Sequence, residues 1–302
     1  MDGILNILKP PGMTSHDVIQ WVRKVLNEKK VGHTGTLDPG AAGVLPVFIG
    51  KATKIIPYIH EDRKIYRAEI IFGKSTDTQD QFGQVIKERI PNFSLGDLRY
   101  ILNTFIGRIQ QKPPMYSAIK IKGKKLYEYA RQGESIDVPT REIIIHSIEL
   151  MHHNIPHNAF LNIECSKGTY VRSLCADIGE SLGCGAYMGF LLRIGSGAFS
   201  ISSSYTLEEI ESRYIKGLIK NILLPIDFPL GNYPKIHLKE SAQKSLENGN
   251  SIYPQGIITD IKEYNENTLT MVYCNKRLLA IGKILYEEEK KRYYLKPLRV
   301  LK

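Results

Sequence analysis

The sequence predicts an α+β fold: a mixed, mainly antiparallel sheet with helices between its strands, followed by a small β-rich module. Three observations predict it. Residues 66–72 alternate, with Tyr66, Ala68, Ile70 and Phe72 on one side, and residues 141–150 and 159–165 read as an antiparallel pair. Between such strands stand helical patterns opened by capping boxes, Thr14 with Asp17, Ser94 with Asp97 and Thr206 with Glu209. Past Leu230-Gly231-Asn232-Tyr233-Pro234 the pattern changes to short strands at 268–273, 278–285 and 292–301 behind one short helix near 240–246. That stretch is the expected boundary, giving domains 1–231 and 232–302.

In chain order, residues 3–9 form a strand that Pro10-Pro11-Gly12 ends, and Val18, Val22, Val25 and Leu26 line one face of the first helix. The run Val44-Leu45-Pro46-Val47-Phe48-Ile49 reads as a buried strand. A polar link, residues 60–64, precedes the strand at 66–72, and Gly73 closes it. Residues 75–80 are rich in turn formers; the acid spacing and glycine position are wrong for a calcium loop. Leu95, Leu98, Leu102 and Phe105 face inward from the second helix. Pro113-Pro114 is too stiff for helix and leads into a short basic strand, 117–122, then a short helix, 126–132, closed by Gly133. The connection 151–158 holds His152, His153 and His157; no Cys or acid joins them, so a solvated loop is expected rather than a metal site. Lys167-Gly168-Thr169 leads into a helix with Val171, Leu174, Ile178 and Leu182 buried, and an apolar strand follows at 186–194.

Composition narrows the function. The chain has 302 residues, with 41 Lys and Arg against 31 Asp and Glu, a net charge of +10, which favours a polyanionic partner, nucleic acid first. No apolar run approaches a membrane span, and the N-terminus lacks the pattern of a signal peptide. The four cysteines show no metal spacing, so reduced thiols in a cytoplasmic protein are expected.

The stretch on which the chemistry centres is residues 32–43, Gly32-His33-Thr34-Gly35-Thr36-Leu37-Asp38-Pro39-Gly40-Ala41-Ala42-Gly43. Four glycines and one proline make it a kinked, closely approachable loop, with Asp38 as its one acid. Taken by itself, it also fits a glycine-rich turn in which Asp38 caps a backbone group. Gly43 to Gly50-Lys51 is too long for a phosphate-binding loop, and Ala52 stands where a magnesium-binding hydroxyl belongs, which excludes an NTPase of that kind.

Four stretches in order carry a resemblance: residues 32–39; Lys64-Ile65-Tyr66-Arg67 with Thr76-Asp77-Thr78; Pro113-Pro114-Met115-Tyr116-Ser117-Ala118-Ile119-Lys120; and Cys165-Ser166-Lys167-Gly168-Thr169-Tyr170-Val171-Arg172. The chain resembles the TruB-type tRNA pseudouridine-55 synthases over roughly its first 230 residues, and its end more loosely resembles their PUA-type RNA-binding module. The resemblance implies a pseudouridine-synthase catalytic domain plus a PUA-like domain. It implies a stand-alone isomerase that flips uridine-55 out of the T-loop of tRNA and rebuilds its glycosidic bond through C5. It also implies no cofactor and no metal, a tRNA T-stem loop as partner, no guide RNA and no membrane; a monomer is expected.

By the same resemblance Asp38 is the catalytic acid, whose carboxylate attacks sugar or base or takes a ribose proton. Arg172 is its cationic partner, favouring ionisation. Tyr66 packs on the target base, and His33 fills the gap the extruded nucleotide leaves. Tyr170 and Leu191 line the pocket; Asp80 either touches the base edge or caps a turn. The family usually has a larger side chain where Gly40 stands and a hydroxyl residue where Ala42 stands.

Other readings are weaker on the residues. A non-catalytic RNA-binding factor has no need of an acid beside RNA phosphates. A guide-RNA-dependent relative would be expected to carry long basic tails, which this chain lacks. An N-glycosidase generally uses two carboxylates, and the central loop offers one.

Overall fold

The computed structural model describes residues 1–59, 63–117, 119–121, 123–134 and 136–302. The chain opens with β1 (Gly3–Lys9), α1 (Ser15–Val25), β2 (Val31–His33), β3 (Ala42–Ile49), a 3₁₀ segment (Gly50–Tyr58), β4 (Arg63–Phe72), β5 (Lys74–Thr76) and β6 (Val85–Glu88). It continues with α2 (Leu95–Thr104), β7 (Gly107–Gln111), β8 (Lys120–Ile121), β9 (Lys124–Lys125), α3 (Leu126–Arg131), β10 (Arg141–Asn154), β11 (Asn158–Ser166) and α4 (Val171–Ser181). Then come β12 (Ala186–Ser196), β13 (Phe199–Ser200), α5 (Leu207–Ile215), β14 (Lys235–His237), α6 (Glu240–Glu247), β15 (Leu269–Cys274), β16 (Arg277–Glu287) and β17 (Arg292–Val300).

The main sheet runs β1-β3-β12-β4-β11-β10-β7, with β2 beside β3 and β13 beside β12. All its pairings are antiparallel except β3 with β12, which meet in parallel at Leu192–Ala42 and Arg193–Gly43. That junction matters because β3 follows the Asp38 loop and β12 carries Leu191. Gly43, at φ +116°, is required there: a Cβ would come within 2.2 Å of the Arg193 carbonyl oxygen.

The expected helices form for local reasons. Thr14, Ser94 and Thr206 each accept from the third helical backbone N–H, and Asp17, Asp97 and Glu209 return the bond to the cap N–H. In β4, Tyr66, Ala68, Ile70 and Phe72 all face the core, against Leu174 and Ile178 of α4 and Leu98 and Leu102 of α2. A second core packs α1 and α5 beneath β1 and β3.

Three expectations change. The histidine connection is strand: β10 continues to Asn154, with His152 opposite Phe160 and His153 opposite Ala159. Of the basic strand expected over 117–122, Lys120–Ile121 forms β8, while Ala118 and Lys122 lie outside the described residues. The polar link does not reach position 64: Lys64 is buried inside β4 and donates to Ser196 Oγ at 2.6 Å, while His60, Glu61 and Asp62 lie outside the described residues.

The last part holds a four-stranded sheet in the order β14-β15-β16-β17, with α6 packed on it. It joins the first part through shared apolar packing: Met271, Tyr273, Ile281 and Leu301 cluster with Ile4, Val44, Phe48 and Phe199. Polar ties cross the same join, from Lys54 Nζ to the Val300 and Lys302 carbonyls at 3.0 and 2.9 Å, and from Tyr233 Oη to the Tyr58 carbonyl at 2.8 Å.

Candidate active site

The loop between β2 and β3 is tied down on several sides. Ser15 Oγ both donates to the Leu37 carbonyl, at 3.1 Å, and accepts from the Leu37 N–H, at 2.9 Å. The Pro39 carbonyl accepts from Gly12 N–H at 2.8 Å and from Lys9 Nζ at 3.3 Å. Lys9 is fully buried and also donates to the Pro10 and Met13 carbonyls; burial lowers its pKa to about 8, with Asp38 pulling the other way. From β12, Arg193 reaches across to the Val44 and Gly35 carbonyls, each at 2.7 Å, and closes the loop's two ends. Asp38 is therefore held at its own backbone neighbours while its carboxyl points outward.

Arg172, the second residue of α4, is 5% exposed. Its Nε lies 3.0 Å from Asp38 Oδ2 and its Nη1 lies 3.5 Å from Asp80 Oδ2. Nη1 also donates to the Thr78 carbonyl at 3.2 Å, and Nη2 to the Tyr116 carbonyl at 3.0 Å. The start of a helix is an unfavourable place for a cation, and two carboxylates and two carbonyls offset that cost. A fully extended surface arginine is thus excluded.

An open pocket is lined by Thr36, Leu37, Asp38, Tyr66, Thr169, Tyr170, Val171, Arg172 and Leu191. Five of the seven residues singled out from the sequence meet there: Asp38, Tyr66, Arg172, Tyr170 and Leu191. Tyr66 is buried, and burial raises its phenol pKa, with Arg193 acting in the opposite direction. Tyr170 caps α4, its backbone held by Gln111, whose amide donates to the Tyr170 carbonyl at 3.0 Å while its oxygen accepts the Tyr170 N–H at 2.8 Å.

Asp80 and His33 stand outside that lining. Asp80 does two things. Its Oδ1 accepts from Thr78 Oγ1 at 2.6 Å and from Phe82 N–H at 3.0 Å, so it caps its turn, while Oδ2 faces Arg172. His33 ends β2 opposite Val47, and burial lowers its pKa, which favours the neutral ring. Its Nδ1 is buried with no partner.

The electrostatics of Asp38 differ from the sequence expectation. Burial raises its pKa; Arg172 and Lys9 pull it down and Asp80 pushes it up, and the net direction is upward. The guanidinium orients the carboxyl and limits the rise rather than producing a depressed pKa. Asp80 supplies a second acid at that guanidinium, which the central loop alone did not disclose, but its first oxygen is already occupied by the turn. Lys9, Gln111 and Arg193 are the site residues that sequence reasoning missed; the signal available for Arg193 was a lone cation in an apolar strand. Among the described residues no group of His, Cys, Asp or Glu is placed to hold a metal ion, and no helix is long and apolar enough to cross a membrane.

An acid, a buried arginine and two tyrosines lining one open slot, on this mixed sheet, are the equipment of a base-modifying RNA enzyme. The model of the TruB family pseudouridylate synthase N-terminal domain matches residues 23–171, and that of the tRNA pseudouridylate synthase B C-terminal domain matches residues 172–230. The chain belongs to the TruB family of pseudouridylate synthases. It is 48% identical over 301 residues to tRNA pseudouridine synthase B of Alkaliphilus oremlandii, covering 100% of this chain and 99% of that one. Its identity to the Bacillus subtilis protein of the same name is 44%, over 82% of each chain. Among solved structures it is similar to an H/ACA RNP bound to a substrate RNA containing 2′-deoxyuridine, with a TM-score of 0.74, 25% identity, and 99% of this chain and 85% of that chain covered. A Cbf5-Nop10-Gar1 complex gives a TM-score of 0.75 at 27% identity over the same shares.

Proposed function

We propose that this chain converts uridine-55 in the T-loop of tRNA to pseudouridine, acting alone on a nucleotide flipped from its stack. The observation that carries the reading is the single guanidinium of Arg172, which holds Asp38 at the mouth of a slot walled by Tyr66, Tyr170 and Leu191. The reagents of a stacked uridine, C1′, C5 and C6, are shielded by neighbours, so the nucleoside must enter such a slot. Extrusion costs a few kcal/mol, which stacking in the pocket offsets.

The balance of the reaction needs only this equipment. The C1′–N1 bond breaks, the base turns, a C1′–C5 bond forms, the proton on C5 leaves to solvent and N1 gains one. Asp38, ionised, is the group that attacks C1′ or the base or removes a ribose proton. Arg172 keeps its oxygens aimed, and Tyr66 supports the base. His33, with a neutral ring and an unpartnered nitrogen, is assigned to the gap the nucleotide leaves. Residues 232–302 are assigned as a PUA-like RNA-binding domain after a catalytic domain of 1–231; the separate sheet that begins at Lys235 supports the division. The near-full-length identity to proteins named tRNA pseudouridine synthase B supports tRNA as the substrate, and a cytoplasmic monomer without guide RNA completes the proposal.

The test uses a tRNA transcript tritiated at uridine C5. Wild type should release tritium and leave pseudouridine, whereas Asp38→Asn should bind the transcript and release none, a loss of about 10³-fold or more. Free uracil as product would instead support a glycosidase, and equal turnover by Asp38→Asn would remove that acid from the chemistry.

A further inference from the structure

Phe82 presents an aromatic ring that is 70% exposed. An exposed phenylalanine alone is ordinary; this one is placed by the active site on two sides. Its backbone is fixed by the turn, where its N–H donates to Asp80 Oδ1 at 3.0 Å, the Gln81 N–H donates to the Met188 carbonyl at 3.0 Å and the Gly83 N–H donates to the Asp80 carbonyl at 3.3 Å. Asp80 in turn faces Arg172, which holds Asp38. On its other side the ring lies over Gly40, two residues beyond Asp38: a Cβ built on Gly40 would sit 2.2 Å from Phe82 Cε2. The glycine is thus the space the ring needs. The volume a side chain at position 40 would fill belongs to Phe82.

The ring stands beside the slot rather than in it, since it is not among the lining residues. An RNA loop that delivers one nucleoside into the slot must lay its next nucleotides over the surrounding rim. A flat, apolar face carried on a fixed backbone accepts any base there, because every base has a π-face. We propose that Phe82 is the stacking platform for the base of a nucleotide adjoining the flipped uridine, and so a determinant of substrate binding. The assignment rests on the reading of the chain as an RNA-modifying enzyme.

The test compares Phe82→Leu, Phe82→Ala and Phe82→Trp with wild type. Leucine keeps an apolar side chain that ends at Cδ, short of the ring atoms nearest Gly40, and removes the π-face. With a T-stem-loop transcript, KM should rise about 5- to 100-fold in Phe82→Leu and Phe82→Ala, the span of one base–aromatic stack, with kcat within about 2-fold; Phe82→Trp should match wild type. In a second measurement 2-aminopurine replaces, one at a time, the nucleotide on either side of the target. In one of the two positions its fluorescence in the complex should be lower with wild type than with Phe82→Leu. Wild-type KM and wild-type quenching in Phe82→Leu would overturn the proposal, as would a fall in kcat at unchanged KM, which would make the ring packing for the Asp38 loop. Quenching through Phe82 by a wild type that releases no tritium would overturn the isomerase reading and leave the platform standing.

Discussion

The loop that carries Asp38 and the join between the two sheets are both closely packed, but by opposite means. The loop is held by buried polar groups: Ser15 on Leu37, Lys9 and Gly12 on Pro39, Arg193 on Gly35 and Val44. The join is held mainly by apolar side chains, Ile4, Val44, Phe48 and Phe199 on one side clustering with Met271, Tyr273, Ile281 and Leu301 on the other. Hydrogen bonds fix direction and position within tenths of an ångström, while apolar contact supplies free energy with little angular demand. A catalytic carboxylate needs the first, and a supporting module needs the second.

The contrast can be broken at either end, and the larger effect is expected at the join. Phe48 is fully buried there, so Phe48→Ala should lower unfolding free energy by about 3–5 kcal/mol. Turnover of the molecules that remain folded should stay within about 2-fold of wild type. Urea unfolding and single-turnover tritium release on the same samples check both halves. A collapse of turnover in the folded fraction would mean that the join also sets the geometry of the loop.

The next effect is smaller in stability and larger in rate. Ser15→Ala removes one small hydroxyl and leaves the Leu37 N–H and carbonyl without their partner. The expected cost is about 1–3 kcal/mol of stability. The loop loses its nearest pin to Asp38, and misplacement of a reacting group by about 1 Å costs on the order of 10²-fold in rate. A kcat reduced by about 10- to 100-fold at near wild-type KM is therefore expected. A stability loss with unchanged kcat would show that Lys9 and Arg193 suffice to hold the loop.

The same division explains what could be read from the sequence. Capping boxes at Thr14, Ser94 and Thr206 are legible because both partners lie within one turn. The inward face of β4 is legible because its burial alternates with its apolar pattern. Asp38, Tyr66 and Arg172 were placed by the ordered motifs, and the structure brings them to one slot. Arg193 and Gln111 were not legible: their partners are 149, 158 and 59 residues away, and no local pattern encodes such a meeting. The end of β10 was missed for a different reason. Beyond Leu150 the strand leaves the core and both faces are exposed, so the two-residue apolar period disappears although the backbone ladder continues.

The smallest expected effect sharpens the electrostatic side of the comparison. Burial raises the pKa of Asp38, and the negative charge of Asp80 adds to the rise while Arg172 opposes it. If the reaction needs the Asp38 carboxylate, kcat/KM must increase with pH through that raised pKa, so its acid limb is displaced upward from the ordinary value of an aspartate. Asp80→Asn removes the like charge and also frees Arg172 from one of its two carboxylates. Both changes favour ionised Asp38, so the sign is fixed: the acid limb should move to lower pH. The variant also weakens the cap on Phe82, which adds a modest rise in KM but does not move a pKa. A pH profile of kcat/KM, taken at RNA concentrations well below KM, separates the two, because a weaker stack scales the profile at every pH while a changed ionisation of the free enzyme moves its midpoint. An acid limb that stays in place, or moves upward, would show that the titrating group is not Asp38 under the influence of its neighbour.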